Sequence, residues 1–212
     1  MSNECLFIHG PSGSGKTTLL SLLVGILRPQ QGHIRLLGQS LGQVGAGRRD
    51  HLRADHIGMI FQQFNLIPYL TPVENVLLTC QFSALRRQRA LAKSSSVAEE
   101  AVRLLSHLDM ADPRWLKLPV HQLSVGQQQR IAVARALMGS PELVVADEPT
   151  SSLDSERREQ FIDLLFNECK ASGAALLFVS HDAQLADLFD RQMTLQYQDS
   201  ARVALTEQGP AL

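Results

Sequence analysis

The chain of 212 residues has few cysteines, almost no net charge and no long apolar run. Cys5, Cys80 and Cys169 are its only cysteines; they lie far apart and none belongs to a CxxC pair. That usage fits a reduced, cytoplasmic chain better than a disulfide scaffold or a zinc site. A net charge of −1 leaves no basic footprint, so nucleic acid is not expected as a partner. The most apolar run, Leu19 to Leu27, is interrupted by Ser21 and Gly25 and amounts to about half a membrane span. Met1-Ser2-Asn3-Glu4 carries no positive charge and only a brief apolar segment follows, which does not make a signal peptide. The chain is therefore expected to stay out of the bilayer by itself, while remaining free to dock on a protein within it. Hydrophobic residues at 44% and charged residues at 19% suit an ordinary soluble α/β domain with a small insertion.

What is present begins with Gly10-Pro11-Ser12-Gly13-Ser14-Gly15-Lys16-Thr17, which matches the phosphate-loop pattern G-x-x-x-x-G-K-[ST] at every fixed position. The apolar stretch Cys5 to His9 before it reads as a buried strand, and the Leu-rich stretch from Thr18 to Val24 after it reads as a helix. The pattern needs that context. Glycines let the backbone wrap phosphate with its N–H groups pointing inward, and the positive end of the helix adds attraction. Lys16 is expected to reach the β- and γ-phosphates and the Thr17 hydroxyl to hold Mg²⁺.

Further along, Gln31 to Gly38 reads as a turn and a short strand, and Ser40 to Arg53 as a loop and a weak helix. His56 to Phe61 is a second buried strand, ending at Gln62. Thr71-Pro72-Val73-Glu74 combines a capping Thr, a first-turn Pro and Glu at the capping-box position. Residues 73 to 110 read as helix with a break near Lys93 to Ser96, and Val97, Ala101, Leu104, Leu105 and Leu108 form one apolar face. Arg86, Arg87, Arg89 and Lys93 cluster here, either as a solvated helix face or as a surface for a partner or for membrane headgroups. Leu143 to Ala146 is a buried strand delivering Asp147 and Glu148, and Ala174 to Val179 is another delivering Ser180, His181 and Asp182. Strands alternating with helices imply a mostly parallel sheet covered on both faces. One domain is expected over residues 1–212, with an ATPase core of residues 1–65 and 126–212 and a helical subdomain of residues 66–125.

Strand ends in such a sheet are where ligands sit. Asp147 is placed to hold Mg²⁺ beside a phosphate loop, and Glu148 to orient and deprotonate an attacking water. His181, at a neighbouring strand end, can hydrogen-bond the γ-phosphate. Taken singly, each has a plain structural reading, a charged turn or a buried imidazole. The phosphate loop supplies the partner that favours the chemical one.

With Leu123-Ser124-Val125-Gly126-Gln127 the chain closely resembles the ATP-binding subunits of ABC transporters, whose signature reads L-S-G-G-Q. The resemblance runs over nearly the whole chain, with the family's motifs in its order. These are the phosphate loop, Phe61-Gln62, the signature, Leu143 to Glu148, Ser151-Ser152-Leu153-Asp154, and Ser180-His181-Asp182. It implies a P-loop NTPase fold and a head-to-tail homodimer closing on two ATP molecules. In that arrangement residues Gly10 to Thr18 of one copy face Ser124, Gly126 and Gln127 of the other. Gln62 contacts Mg²⁺ and water and senses a membrane permease, Asp154 bridges the dimer, and His181 holds the γ-phosphate. Within the family, Ile57 to Pro68 and Glu74-Asn75-Val76 look like the lipoprotein-release and macrolide-export branch. The implied location is cytoplasmic, against the inner face of the membrane through the permease.

Two departures from the family pattern stand out. Val125 replaces a signature glycine, a change expected to be tolerated because Ser124 and the Gly126 N–H carry the phosphate chemistry. Ahead of the phosphate-loop strand the chain also lacks the family's antiparallel strands and the aromatic residue that stacks on adenine. Such a contact is worth about 1–3 kcal/mol, and a start site assigned too late is the expected reason. The rival readings are an ABC-type ATPase of nucleic-acid metabolism and a nucleotide-binding regulator with little turnover.

Overall fold

The computed structural model describes residues 4–11, 13–151, 153, 155–199 and 202–208. Its first half runs β1 (Cys5–His9), α1 (Lys16–Leu23), β2 (Arg35–Leu36), β3 (Gln39–Ser40), α2 (Ala46–His56) and β4 (Ile57–Ile60). Three helices follow: α3 (Pro72–Phe82), α4 (Ala84–Leu91) and α5 (Val97–His107). The remainder is α6 (Val125–Leu137), β5 (Leu143–Asp147), α7 (Ser155–Ser172), β6 (Ala175–Ser180), β7 (Arg191–Asp199) and β8 (Arg202–Gln208). The main sheet has the order β4-β5-β6-β1-β7-β8, parallel throughout except for the final β7–β8 pair. This is the α/β P-loop NTPase arrangement, and the segment expected as a turn and one strand is the small β2–β3 hairpin.

Both faces of the sheet are covered, which is why its central strands are continuous apolar runs. Ile8, Val145, Leu177 and Val179 pack with Leu20 of α1 and with Val24, which caps its end, on one side. On the other, Phe7, Val144, Ala146 and Phe178 join Ile131 and Val133 of α6 and Ile162 and Leu165 of α7. The same cluster takes in Val76 and Cys80 of α3, Leu104 and Leu105 of α5 and the Leu108 that caps it, so these helices share a continuous core with the sheet.

Local signals hold where they are strongest. Thr71 Oγ1 accepts from Glu74 N, and the Glu74 carboxylate accepts from Thr71 N at 2.8 Å, so the capping box forms as expected. The stretch of residues 73–110 has one more break than its spacing suggests. Ser83 is extended there, and its hydroxyl accepts from Arg86 N to start α4 while donating to Asp55.

The basic cluster of residues 86–93 divides: Arg87 and Lys93 are exposed, as on a solvated helix face, while Arg86 and Arg89 turn inward. Arg86 is only 1% exposed and donates to the carbonyls of Ala136 and Met138 at the C-terminal end of α6, where a cation is favourable. Burial pulls its guanidinium down to about 10. Arg89 donates to Glu142 at 2.6 Å and to Ser140 O, and Lys93 reaches the Ser140 hydroxyl. Arg86, Arg89 and Lys93 fasten α4 to the turn between α6 and β5.

Close packing of β4 on α6 explains Gly58. A Cβ built there would lie 2.3 Å from the Ala136 carbonyl oxygen, a backbone atom that cannot swing aside. Gly58→Ala is therefore expected to destabilise the fold by about 1–3 kcal/mol. A urea midpoint shift at constant m-value would register that loss; an unchanged midpoint would mean the two elements are not in contact.

Candidate active site

Parallel pairing brings the C-terminal ends of β1, β4, β5 and β6 to one edge of the sheet, with His9 opposite Ser180 and Asp147 opposite Val179. The phosphate loop starts where β1 stops, and it turns into α1 through Gly15 at φ 91°, a left-handed conformation that glycine adopts without strain. Ser14 N bonds back to Pro11 O at 3.1 Å, closing the loop on itself. The Ser14 hydroxyl is fully buried with no partner among the described residues. Lys16 Nζ donates to Gly10 O at 2.7 Å and Pro11 O at 3.1 Å and stands 3.7 Å from Glu148 Oε1.

A pocket of about 560 Å³ opens in front of this loop, lined by Gly13, Gly15, Lys16, Thr17, Thr18, Gln62, Asp147, Glu148 and His181. Residues far apart in the chain thus meet as their motifs suggest. Glu148 has φ 49°, unusual for a residue with a side chain, and its N–H is held by Val179 O at 2.9 Å. Its Oε2 meets His181 Nδ1 at 2.8 Å and accepts from the Ser180 hydroxyl at 3.3 Å. Burial, and next the Glu148 carboxylate, push the Asp147 carboxyl above the usual carboxylate range against the pull of Lys16. A carboxyl so placed is short of positive charge, and with the Thr17 hydroxyl and Gln62 beside it the donor set is hard oxygen throughout. That fits Mg²⁺, which binds through one or two carboxylates together with substrate phosphates.

The signature is elsewhere. Ser124 and Gly126 line a separate pocket of about 430 Å³ with Gln129, Arg130, Leu153 and Phe161, and none of its residues belongs to the phosphate pocket. Ser124 Oγ accepts from Gln127 N, and Gln127 Oε1 accepts from Ser124 N at 2.9 Å, a second capping box that starts α6. A serine hydroxyl that accepts in this way keeps its own O–H to donate outward. Val125 is half exposed and touches none of this capping. Ser12, Ser152 and Asp154 lie outside the described residues.

Residues 1–151 match the family described as ABC transporter. The chain belongs to the ABC transporter family. It is 38% identical over 193 residues to the lipoprotein-releasing system ATP-binding protein LolD of Cytophaga hutchinsonii, covering 91% of this chain and 84% of that one. It is 35% identical over 195 residues to the macrolide export ATP-binding/permease protein MacB of Pasteurella multocida, covering 92% of this chain and 28% of that larger one. A solved structure of the ATP-binding cassette MJ0796, a dimer in a post-hydrolysis state with ADP and Pi, superposes with a TM-score of 0.77 at 35% identity. The superposition covers 97% of this chain and 86% of that one. This ABC protein is thus an ATP-binding and ATP-hydrolysing subunit using Mg²⁺, on the LolD and MacB branch. The readings as a nucleic-acid ATPase and as a low-turnover regulator are not favoured.

Three contributors come into view only with the structure. Ser180, in the sequence one member of Ser180-His181-Asp182, donates its hydroxyl to the Glu148 carboxylate. The second capping box was signalled by the S-x-x-Q spacing of Ser124 and Gln127. Gln129, which donates to Pro149 O across 20 residues of chain, has no local signal at all.

Proposed function

We propose that two copies of this chain pair head to tail around two ATP molecules and drive a separate membrane permease of exporter or lipoprotein-release type. One observation carries the pairing. The phosphate cradle and the signature Ser124 open into different pockets of the same chain, so a triphosphate gripped by both needs a second copy. In that dimer Gly10 to Thr18 wrap the phosphates of one ATP, and Ser124 and Gly126 of the other copy close over its γ-phosphate. Thr17, Gln62 and Asp147 would hold Mg²⁺, which supplies charge neutralisation on the phosphate oxygens. Glu148 orients the attacking water and takes its proton, His181 steadies the γ-phosphate, and Asp154 bridges the copies. Hydrolysis removes the group held from both sides, so the closed state loses its advantage.

The permease reading draws on a third cavity, an apolar groove of about 610 Å³ between α2, β4, α3 and α6. Phe82 stands 72% exposed at this groove. Arg53 and Arg86 line it; Arg53, about a quarter exposed, pairs with Asp50 at 2.6 Å, while Arg86 is only 1% exposed. An apolar wall with an exposed aromatic and the part-exposed Arg53 suits a permease segment that brings apolar side chains and a carboxylate toward Arg53. Arg53→Glu is expected to weaken binding to permease-containing membranes at least tenfold while leaving turnover of the free protein unchanged. Cosedimentation with those membranes measures it; undiminished binding would remove the groove from the interface.

A further inference from the structure

Helix α6 begins at the signature and runs directly beneath the turn that carries Glu148. Gln129, in its second turn, is 3% exposed, and its Nε2 donates to the carbonyl of Pro149 at 3.0 Å. Pro149 follows Glu148, and Ser151 N closes the turn onto Glu148 O at 3.3 Å. The same Gln129 lines the signature pocket with Ser124 and Gly126. From Ile131 to Ala134 the helix is fully buried, which fixes its body in the core, while Ser124 and Val125 at its start are exposed. The Gln129 amide thus links the helix that begins at Ser124 to the residue that follows Glu148.

In the head-to-tail dimer these two ends serve different nucleotides. Ser124 of a copy grips the ATP cradled by its partner, whereas Glu148 of that copy works on the ATP in its own cradle. We propose that Gln129 is a positioning residue that couples the two sites. It sets Glu148 in one site according to whether the other site holds ATP against the signature helix. This inference rests on the dimer reading above and would fall with it. The Glu148 turn is a suitable receiver. Its backbone is in the left-handed region, tethered on the opposite side by Val179 O and Ser180, so that a small shift at Pro149 re-aims the carboxylate.

Spatial intermediacy alone does not establish coupling, so the test measures coupling directly. Mixed dimers are assembled from two differently tagged copies, and only the first copy's Glu148 is left active. The second copy carries either Glu148→Gln, which leaves ATP bound but unhydrolysed in its cradle, or Lys16→Ala, which leaves that cradle empty. The ratio of the two turnover rates is the coupling factor. It is expected to be about tenfold, to fall to unity when Gln129→Met is placed in the first copy, and to persist when that substitution is placed in the second. Methionine keeps the length of the side chain and removes its hydrogen bonds. A factor unaffected by Gln129→Met in the first copy, a factor of unity in the parent, or equal losses from either copy would each overturn the proposal, the last by revealing a general loosening of α6. Absence of any turnover from these mixed dimers, with the parent also failing to dimerise on ATP, would instead sink the dimer reading.

Discussion

Replacing Glu148 with Gln is expected to slow ATP hydrolysis by about 10²–10⁴-fold, the usual contribution of a positioned general base, while the ATP-bound dimer accumulates. Glutamine keeps the shape of the side chain, and its amide oxygen still accepts from Ser180 and His181, which now contact Oε2. What it loses is the ability to take a proton from water. It also removes a negative charge next to Asp147, whose carboxyl is already raised by that neighbour. The pocket then receives a triphosphate with less repulsion, so binding tightens as chemistry fails. Phosphate release measured beside light-scattering mass in ATP separates the two effects. A variant within tenfold of the parent rate would show that Glu148 is not the base, and a slow variant that stays monomeric in ATP would place the loss in assembly instead.

The contrast between what the sequence tells and what it withholds follows from distance along the chain. The phosphate loop is legible because its chemistry is backbone chemistry within eight consecutive residues, Gly10 to Thr17. Asp147 and His181 are legible because each ends an apolar strand, and parallel strands must end on one edge. The Thr71 box is legible because a cap and its partner are three residues apart. Arg86 is the opposite case. Its spacing with Arg87, Arg89 and Lys93 describes a charged helix face, yet it caps carbonyls 50 and 52 residues away. No local pattern announces a cation that is buried to close another helix. Ser124 and Gln127 hide their cap for a different reason, since the phosphate chemistry of the signature already accounts for a serine there. The structure lets one hydroxyl do both, accepting from Gln127 N and retaining a proton to donate. The left-handed backbone of Glu148 has no signal in residue type, because glutamate has no preference for it.

Lys16→Ala and Ser124→Arg are each expected to abolish turnover alone and to restore it when mixed. Without Lys16 the phosphates lose the ammonium that now rests on the carbonyls of Gly10 and Pro11, poised over the pocket. An arginine at 124 removes the hydroxyl that starts α6 and sets a bulky side chain where the partner's γ-phosphate should lie. Each homodimer therefore has two damaged sites. In a mixed dimer both lesions fall in the same site, because one site takes Lys16 from the first copy and Ser124 from the second. The other site takes the intact Lys16 and the intact Ser124. Random pairing makes about half of the dimers mixed, each with one working site, so an equal mixture should recover up to about a quarter of the parent rate by the symmetry of a head-to-tail pair. The recovery falls below that figure to the extent that an empty second site withholds its influence through Gln129. Were the complete site built within one chain, both lesions would damage every site they touch, and the mixture would stay as inactive as its components.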